Sequence, residues 1–169
     1  MANQSTNEWE RFLDVFCETF SLKEVFKSKI FICGSYKKKS MRKLIEIKKI
    51  INDSSSSHIA FIESDFESTN EKNFILKFFL LAKFSDKIMM IIDHDKGGHM
   101  IEIGIIITKQ KYKNITFLFV LRKAKITRML TEGGFIDPFF TENENLFYFK
   151  NIKDLKIKVL SLLDIILIK

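Results

Sequence analysis

Residues 87–92, Lys-Ile-Met-Met-Ile-Ile, give the clearest indication of the fold. A short run that is almost wholly apolar is typical of a central parallel strand, buried on both faces. Similar runs occupy residues 29–33, 58–62, 115–121 and 146–149. Segments with helical spacing of apolar residues alternate with them, at 38–52, 70–84, 100–109, 123–131 and 151–167. This alternation predicts an α/β fold, a flavodoxin- or Rossmann-like open parallel sheet of about five strands with helices on both faces.

Residues 7–27 precede the first strand and place large apolar side chains at helical spacing. These side chains are Trp9, Phe12, Leu13, Phe16 and Phe20. We expect an amphipathic helix whose apolar stripe packs on the core, with a partner-binding face as the alternative. The chain is then divided into an N-terminal helical extension, residues 1–28, and one α/β domain, residues 29–169.

The composition excludes a disordered chain, because hydrophobic residues make up 46% and charged residues 29% of 169 positions. The N-terminus lacks the apolar core of a signal peptide, and no apolar run approaches the roughly 18–20 residues of a membrane span. Cys17 and Cys33 are the two cysteines, too few for a disulfide framework. We therefore expect a cytoplasmic protein with no membrane span.

A net charge of +7 suits nucleic acid, nucleotide phosphates or an acidic partner, and it also fits the lysine-rich usage of an AT-rich genome. Part of this charge follows the first strand. Gly34, Ser35 and Tyr36 are followed there by basic residues: Lys37, Lys38, Lys39 and Arg42. In open parallel sheets, ligands bind beyond the carboxyl ends of the strands, where strand order reverses. The loop is thus a candidate anion site, with a tight turn before a solvated basic helix as the alternative.

The loop after residues 87–92 leads into a helix that carries Glu102 in its first turn. The helix dipole favours an ionised carboxylate at that position, which is the form that a nucleophile needs. An ordinary first-turn carboxylate is the alternative. Gly104 is costly in a helix, and we expect it to pack closely against the sheet or a ligand. His94 and His99 flank the glycine turn at Gly97 and Gly98, and we expect substrate contact or solvation there rather than a metal.

Three motifs together resemble the nucleoside 2-deoxyribosyltransferase-like family, which includes the deoxynucleotide N-hydrolases. They are FICGS at 31–35, KIMMIID at 87–93 and GHMIEIG at 98–104. The resemblance implies that Glu102 attacks C1′ of the sugar and displaces the base, without a metal or another cofactor. It also implies that Gly34 and Ser35 contact the sugar-phosphate and that Asp93 is a supporting carboxylate. The other expected substrate contacts are Tyr36, Asp65, Gly97, Gly98 and His99.

Two functions follow as alternatives. The first is an N-glycosidic-bond hydrolase or transferase that acts on a nucleoside, nucleotide or NAD-like molecule. The second is a catalytically altered member of the fold, a subunit of a prokaryotic defence complex, such as a partner of a short Argonaute. Met100 favours the second, because the family usually has a further glycine there. Residues 135–148 either cover the site or contact another subunit of a homo-oligomer.

Overall fold

The structure is a computed structural model that describes residues 10, 13–66, 74–95, 99–134, 136, 140–142 and 144–167. The helices and strands of this part follow in the order α1 (residues 13–19), α2 (Leu22–Val25), β1 (Ser28–Gly34), α3 (Lys38–Ser54), β2 (His58–Phe61), a 3-10 turn (Glu63–Phe66), α4 (Phe74–Lys83), β3 (Lys87–Ile92), α5 (His99–Thr108), α6 (Gln110–Ile115), β4 (Thr116–Leu121), α7 (Ala124–Glu132), β5 (Leu146–Phe149) and α8 (Ile152–Leu167).

The described strands form one parallel five-stranded sheet in the order β2-β1-β3-β4-β5. This arrangement confirms the open parallel sheet that the sequence predicts. The chain first runs from β1 to β2 on one side and then crosses to β3 on the other side of β1. Strand order therefore reverses between β1 and β3, where Gly34 pairs with Ile91. That position is where this class of sheet binds ligands.

Strand β3 supplies side chains to both layers of the core, as its uninterrupted apolar sequence requires. Ile88, Met90 and Ile92 lie in one buried cluster, together with side chains of α1, α4, α5 and α7. Met89 and Ile91 lie in the other cluster, which α3 and α8 cover. The helices therefore pack on both faces of the sheet, as expected.

The N-terminal segment differs from the single helix expected over residues 7–27. Helix α1 ends before Phe20, and α2 begins after Ser21. The backbone N–H of Ser21 donates to Oε2 of Glu24 at 2.8 Å, a local bond that starts a new helix.

The expectation that the apolar stripe of this segment packs on the core is confirmed for two of its phenylalanines. Phe16 and Phe20 are 5% and 7% exposed. The ring of Phe16 stacks on Phe66 with centroids 5.5 Å apart. Trp9 and Phe12 lie outside the described residues.

The remaining differences are short helical pieces between predicted elements. The helix expected over residues 100–109 is α5, and the separate helix α6 follows it before β4. The 3-10 turn after β2 places Glu63 and Asp65 directly beyond the carboxyl end of that strand. Of the helix expected over residues 70–84, the described part is α4.

Candidate functional site

The predicted site lies where β1 and β3 end side by side. Gly34 is the last residue of β1, and a Cβ atom there would lie 2.5 Å from the carbonyl oxygen of Ile91 on β3. The glycine therefore lets the two strands approach each other. The next residue, Ser35, is buried with 6% of its surface exposed. Gly34 and Ser35 are therefore buried at this end of the sheet and do not form an exposed loop.

Asp93 follows β3 and faces helix α3. The hydroxyl of Ser40 donates to both carboxylate oxygens of Asp93 at 2.9 Å, and the ammonium of Lys43 forms an ion pair with the same carboxylate. Burial alone raises the pKa of Asp93, but the hydrogen bonds from Lys43 and Ser40 lower it below its usual value. The carboxylate of Asp93, which we expect to support a substrate, therefore binds Ser40 and Lys43 and joins α3 to the end of β3.

Asp65 is also engaged within the protein. One of its carboxylate oxygens pairs with the ammonium of Lys48, and the other accepts the backbone N–H of Ile62 at 2.8 Å. These two bonds fix the 3-10 turn against α3. The structure therefore gives Asp65 a structural role. The carboxylate of this loop whose charge acts on Glu102 is that of Glu63.

Glu102 lies in the first turn of α5 and has 2% of its surface exposed. Its Oε2 atom is buried and has no hydrogen-bond partner among the described residues. Burial and the negative charge of Glu63 raise the pKa of Glu102 to about 8. The expectation of an ionised Glu102 is wrong, because the loss of water around the carboxyl outweighs the helix dipole. A carboxyl with this pKa is mainly protonated at neutral pH.

Glu63 is the residue whose negative charge, besides burial, raises the pKa of Glu102. Nζ of Lys77 lies 3.8 Å from Oε1 of Glu63. Burial and the charges of Glu102 and Glu63 raise the pKa values of Tyr36 and Cys33 well above normal. Tyr36, which we expect to contact the substrate, lies just after β1, and 37% of its surface is exposed.

The basic residues of the first loop lie on the surface, at the start of α3. Lys37, Lys38, Lys39 and Arg42 are all exposed. Lys37 precedes the first turn of α3 and gives it no side-chain cap. Burial lowers the pKa of His94, and the positive charge of Lys37 also lowers it.

Several expectations concern the turn before α5 and the helix itself. Gly97 and Gly98 lie outside the described residues, and so does the side chain of His99, whose backbone begins α5. A Cβ atom added at Gly104 would meet no described atom within 4 Å. The expected close packing of Gly104 against the sheet is therefore wrong.

Sequence reasoning missed Glu63, Lys77 and Cys33 as members of the site. Glu63 is the first residue after Ile62, in a loop that the strand-end rule selects and for which the sequence analysis names Asp65 instead. Lys77 interrupts the apolar stripe of α4 and is only 6% exposed. A charged residue at a core position of a helix was the available signal. Cys33 had no signal beyond its place near the end of β1.

The chain is an open parallel α/β protein. Its candidate site lies between β1 and β3, where strand order reverses and where Glu102 is buried. Residues 3–132 match the model of a family of unknown function, DUF8170. The chain belongs to that family. No curated protein matches the chain. In the described part of the chain, no helix is long and apolar enough to cross a membrane.

Proposed function

We propose that this protein cleaves an N-glycosidic bond of a nucleoside, nucleotide or NAD-like substrate, by hydrolysis or transfer, and that Glu102 is the reacting carboxyl. One observation carries this proposal: a buried Glu102 with an oxygen that no described residue hydrogen-bonds, at the strand-order reversal. An unsatisfied buried carboxyl destabilises a fold by about 1–3 kcal/mol or more. Carboxyls with a pKa perturbed by burial cluster at functional sites. The resemblance of the strand-end motifs to deoxyribosyltransferase-like proteins supports the substrate class.

The chemistry begins with transfer of the proton of Glu102 to water. A carboxylate oxygen of Glu102 then bonds to C1′ as the bond from C1′ to the base breaks. The electron pair of the broken bond leaves with the base, which takes up a proton from water. Water or a second base releases the sugar from the carboxylate. Only the ionised form of Glu102 attacks, so kcat/KM should rise with pH up to about 8. The exposed lysines before and within the first turn of α3 would bind a substrate phosphate.

A screen for free-base release tests this proposal. Nucleosides, nucleotides and NAD are incubated separately with the wild-type protein at several pH values, and the released base is measured. We expect Glu102→Gln to abolish release while the folded structure persists by circular dichroism. Glu132→Gln is the matched control, because Glu132 is an exposed glutamate that pairs with Arg128 on α7. Release at the wild-type rate in Glu102→Gln would refute the assignment.

A second candidate function is a catalytically altered subunit of a nucleic-acid-associated complex. The cluster of exposed basic side chains at the start of α3 favours it: Lys37, Lys38, Lys39 and Arg42. Such a subunit would co-purify with a partner and bind an oligonucleotide with an affinity that falls as salt rises. Turnover of a nucleotide by the isolated chain would favour the enzyme instead.

A further inference from the structure

Helices α3 and α8 cover one face of the sheet and carry the net charge of the molecule. They pack beside each other, over the buried cluster that contains Met89 and Ile91. Residues 37–54 and 150–167, which comprise these helices and the residues just before them, hold eleven Lys and Arg and four Asp and Glu. Their net charge of +7 equals that of the whole chain, so the charges of the other residues cancel. The positive charge is therefore concentrated on one face of the protein.

Most basic side chains of this face have no counter-ion among the described residues. Three of the eleven pair with a carboxylate: Lys43, Lys48 and Lys156. The other eight form no ion pair within the part of the chain that the structure describes, and seven of these eight are exposed. Lys49 on α3 and Lys153 on α8 are two of the exposed ones. A surface with this excess of positive charge attracts an extended polyanion.

Three large aliphatic side chains lie exposed among these charges. Ile157 is 64% exposed, Ile45 48% and Leu160 36%. The ammonium of Lys156 on α8 lies 2.8 Å from Oε2 of Glu46 on α3. Because Glu46 follows Ile45 and Lys156 precedes Ile157, this ion pair brings the two isoleucines onto neighbouring turns of the two helices. Aliphatic side chains within a polar rim are typical of an interaction surface.

We propose that the outer face of α3 and α8 is a docking surface for a bilayer of anionic phospholipids. The lysine and arginine side chains bind the acidic headgroups, and each strengthens binding about fivefold near such a surface. Ile45, Ile157 and Leu160 enter the boundary between the headgroups and the acyl chains. The methylene stems of the lysines extend along the same apolar layer, while their ammonium groups remain in water. The protein thus lies on the membrane surface.

The aliphatic side chains favour a bilayer over a nucleic acid as the partner. A basic surface holds a nucleic acid mainly through its phosphates, to which aliphatic side chains contribute nothing. Against a membrane, the same side chains leave water and add to the attraction between charges. Glu102 lies on α5, whose Ile103 and Ile106 pack on the opposite face of the sheet. The docking surface is therefore independent of the proposed function.

Sedimentation of the full chain with vesicles tests the proposal. We expect the wild-type protein to sediment with vesicles of equal parts phosphatidylglycerol and phosphatidylcholine, and not with vesicles of phosphatidylcholine alone. Added salt should weaken the binding, because it screens the attraction between exposed charges. Wild-type protein that stays in the supernatant with the anionic vesicles would overturn the proposal.

Two triple variants with the same change of charge locate the surface. The first, on α3 and α8 and outside the basic residues that begin α3, is Lys49→Gln, Lys153→Gln, Lys158→Gln. We expect it to lower the partition coefficient for the anionic vesicles about 100-fold, because three lysines are lost. The control, on α6 and the residue before it, is Lys109→Gln, Lys111→Gln, Lys113→Gln. Tyr112 of α6 packs on the opposite face of the sheet, so the control should bind as wild type does. Equal losses in the two variants would overturn the proposal.

A second pair of variants tests the aliphatic side chains. We expect Ile157→Ser to lower the partition coefficient about tenfold, at high salt as well, because it removes apolar area that the bilayer buries. The control Ile101→Ser changes a residue that is 47% exposed on α5, and it should bind as wild type does. Circular dichroism checks the fold of every variant. An unchanged partition coefficient in Ile157→Ser would overturn the proposal. So would wild-type protein that binds duplex DNA, measured by fluorescence anisotropy, but not the anionic vesicles.

Discussion

Burial of Glu102 reverses the charge state that its position at the start of a helix favours. Its place in the first turn of α5 favours the ionised form, whereas its burial and the charge of Glu63 favour the protonated form and raise its pKa to about 8. The folded chain therefore holds a proton between pH 4.5 and about 8 that the unfolded chain releases. Over this window, the contribution of Glu102 to stability falls as pH rises.

Replacement of Glu102 by glutamine removes this titration. We expect the stability of Glu102→Gln relative to wild type to increase by up to about 1.4 kcal/mol per pH unit across the window. Urea unfolding of both chains at about pH 5 and about pH 8 measures the difference, and the other titrating groups cancel in the comparison. A stability difference independent of pH would contradict a buried, protonated Glu102.

Gly34 and Gly104 have opposite surroundings. A Cβ atom at Gly34 would lie 2.5 Å from the carbonyl oxygen of Ile91, whereas one at Gly104 would meet no described atom within 4 Å. We expect Gly34→Ala to destabilise the protein by about 1–3 kcal/mol, because β1 and β3 must move apart. We expect Gly104→Ala to stabilise it by about 0.5–1 kcal/mol, because alanine favours a helix interior. Urea unfolding of the pair measures both, and equal effects would contradict these environments.

Asp93 fixes the first turns of helix α3 to the end of β3. The side chain of Asp93 is 5% exposed and engages both Ser40 and Lys43. We expect Asp93→Ala to destabilise the protein by about 3–5 kcal/mol, since it leaves the partially buried Lys43 without its counter-ion. Glu132→Ala, which removes a pair between Arg128 and Glu132 with both side chains mainly exposed, should cost about 0–1 kcal/mol.

The same ion pair gives a pH dependence of opposite sign to that of Glu102. The pKa of Asp93 is below its usual value of 3.8, so its stabilising contribution is present above that value and is lost as pH falls through the lower folded-state pKa. Acid unfolding of wild type and Asp93→Ala should therefore converge towards low pH. Parallel stability curves down to low pH would show that Asp93 does not stabilise the fold through its charge.

The elements also show how far sequence alone predicts this molecule. The bounds of β3 and β5 agree with prediction, because each is a short apolar run with polar residues at both ends, and these mark where the strand begins and ends. The break at Ser21 and the separate helix α6 were missed, since each depends on local backbone bonds rather than on apolar spacing. The candidate site was placed beyond the carboxyl ends of β1, β2 and β3, and these strands end close to where the sequence predicts. Glu63 and Lys77 were not predicted, because the ion pair between them depends on how distant segments of the chain pack.

At the scale of the whole molecule, the parallel sheet divides the basic residues between two opposite edges. Lys37, Lys38 and Lys39 follow the carboxyl end of β1, on the same edge as Glu102 and Asp93. Arg122 and Lys123 follow the carboxyl end of β4 and therefore lie on that edge as well. Lys109, Lys111 and Lys113 precede β4, on the opposite edge. The net charge of +7 is thus not confined to the candidate site.

This division gives a matched test of anion binding. We expect the triple variant Lys37→Gln, Lys38→Gln, Lys39→Gln to weaken binding of a single-stranded oligonucleotide, measured by fluorescence anisotropy over a range of salt concentrations. The salt dependence should fall by about 2 in the log–log slope, from three lost phosphate contacts at about 0.7 each. The variant Lys109→Gln, Lys111→Gln, Lys113→Gln carries the same change of charge and should bind nearly as wild type does. Equal losses in both variants would mean that net charge governs binding, whereas a loss confined to the first would locate the anion beside Glu102.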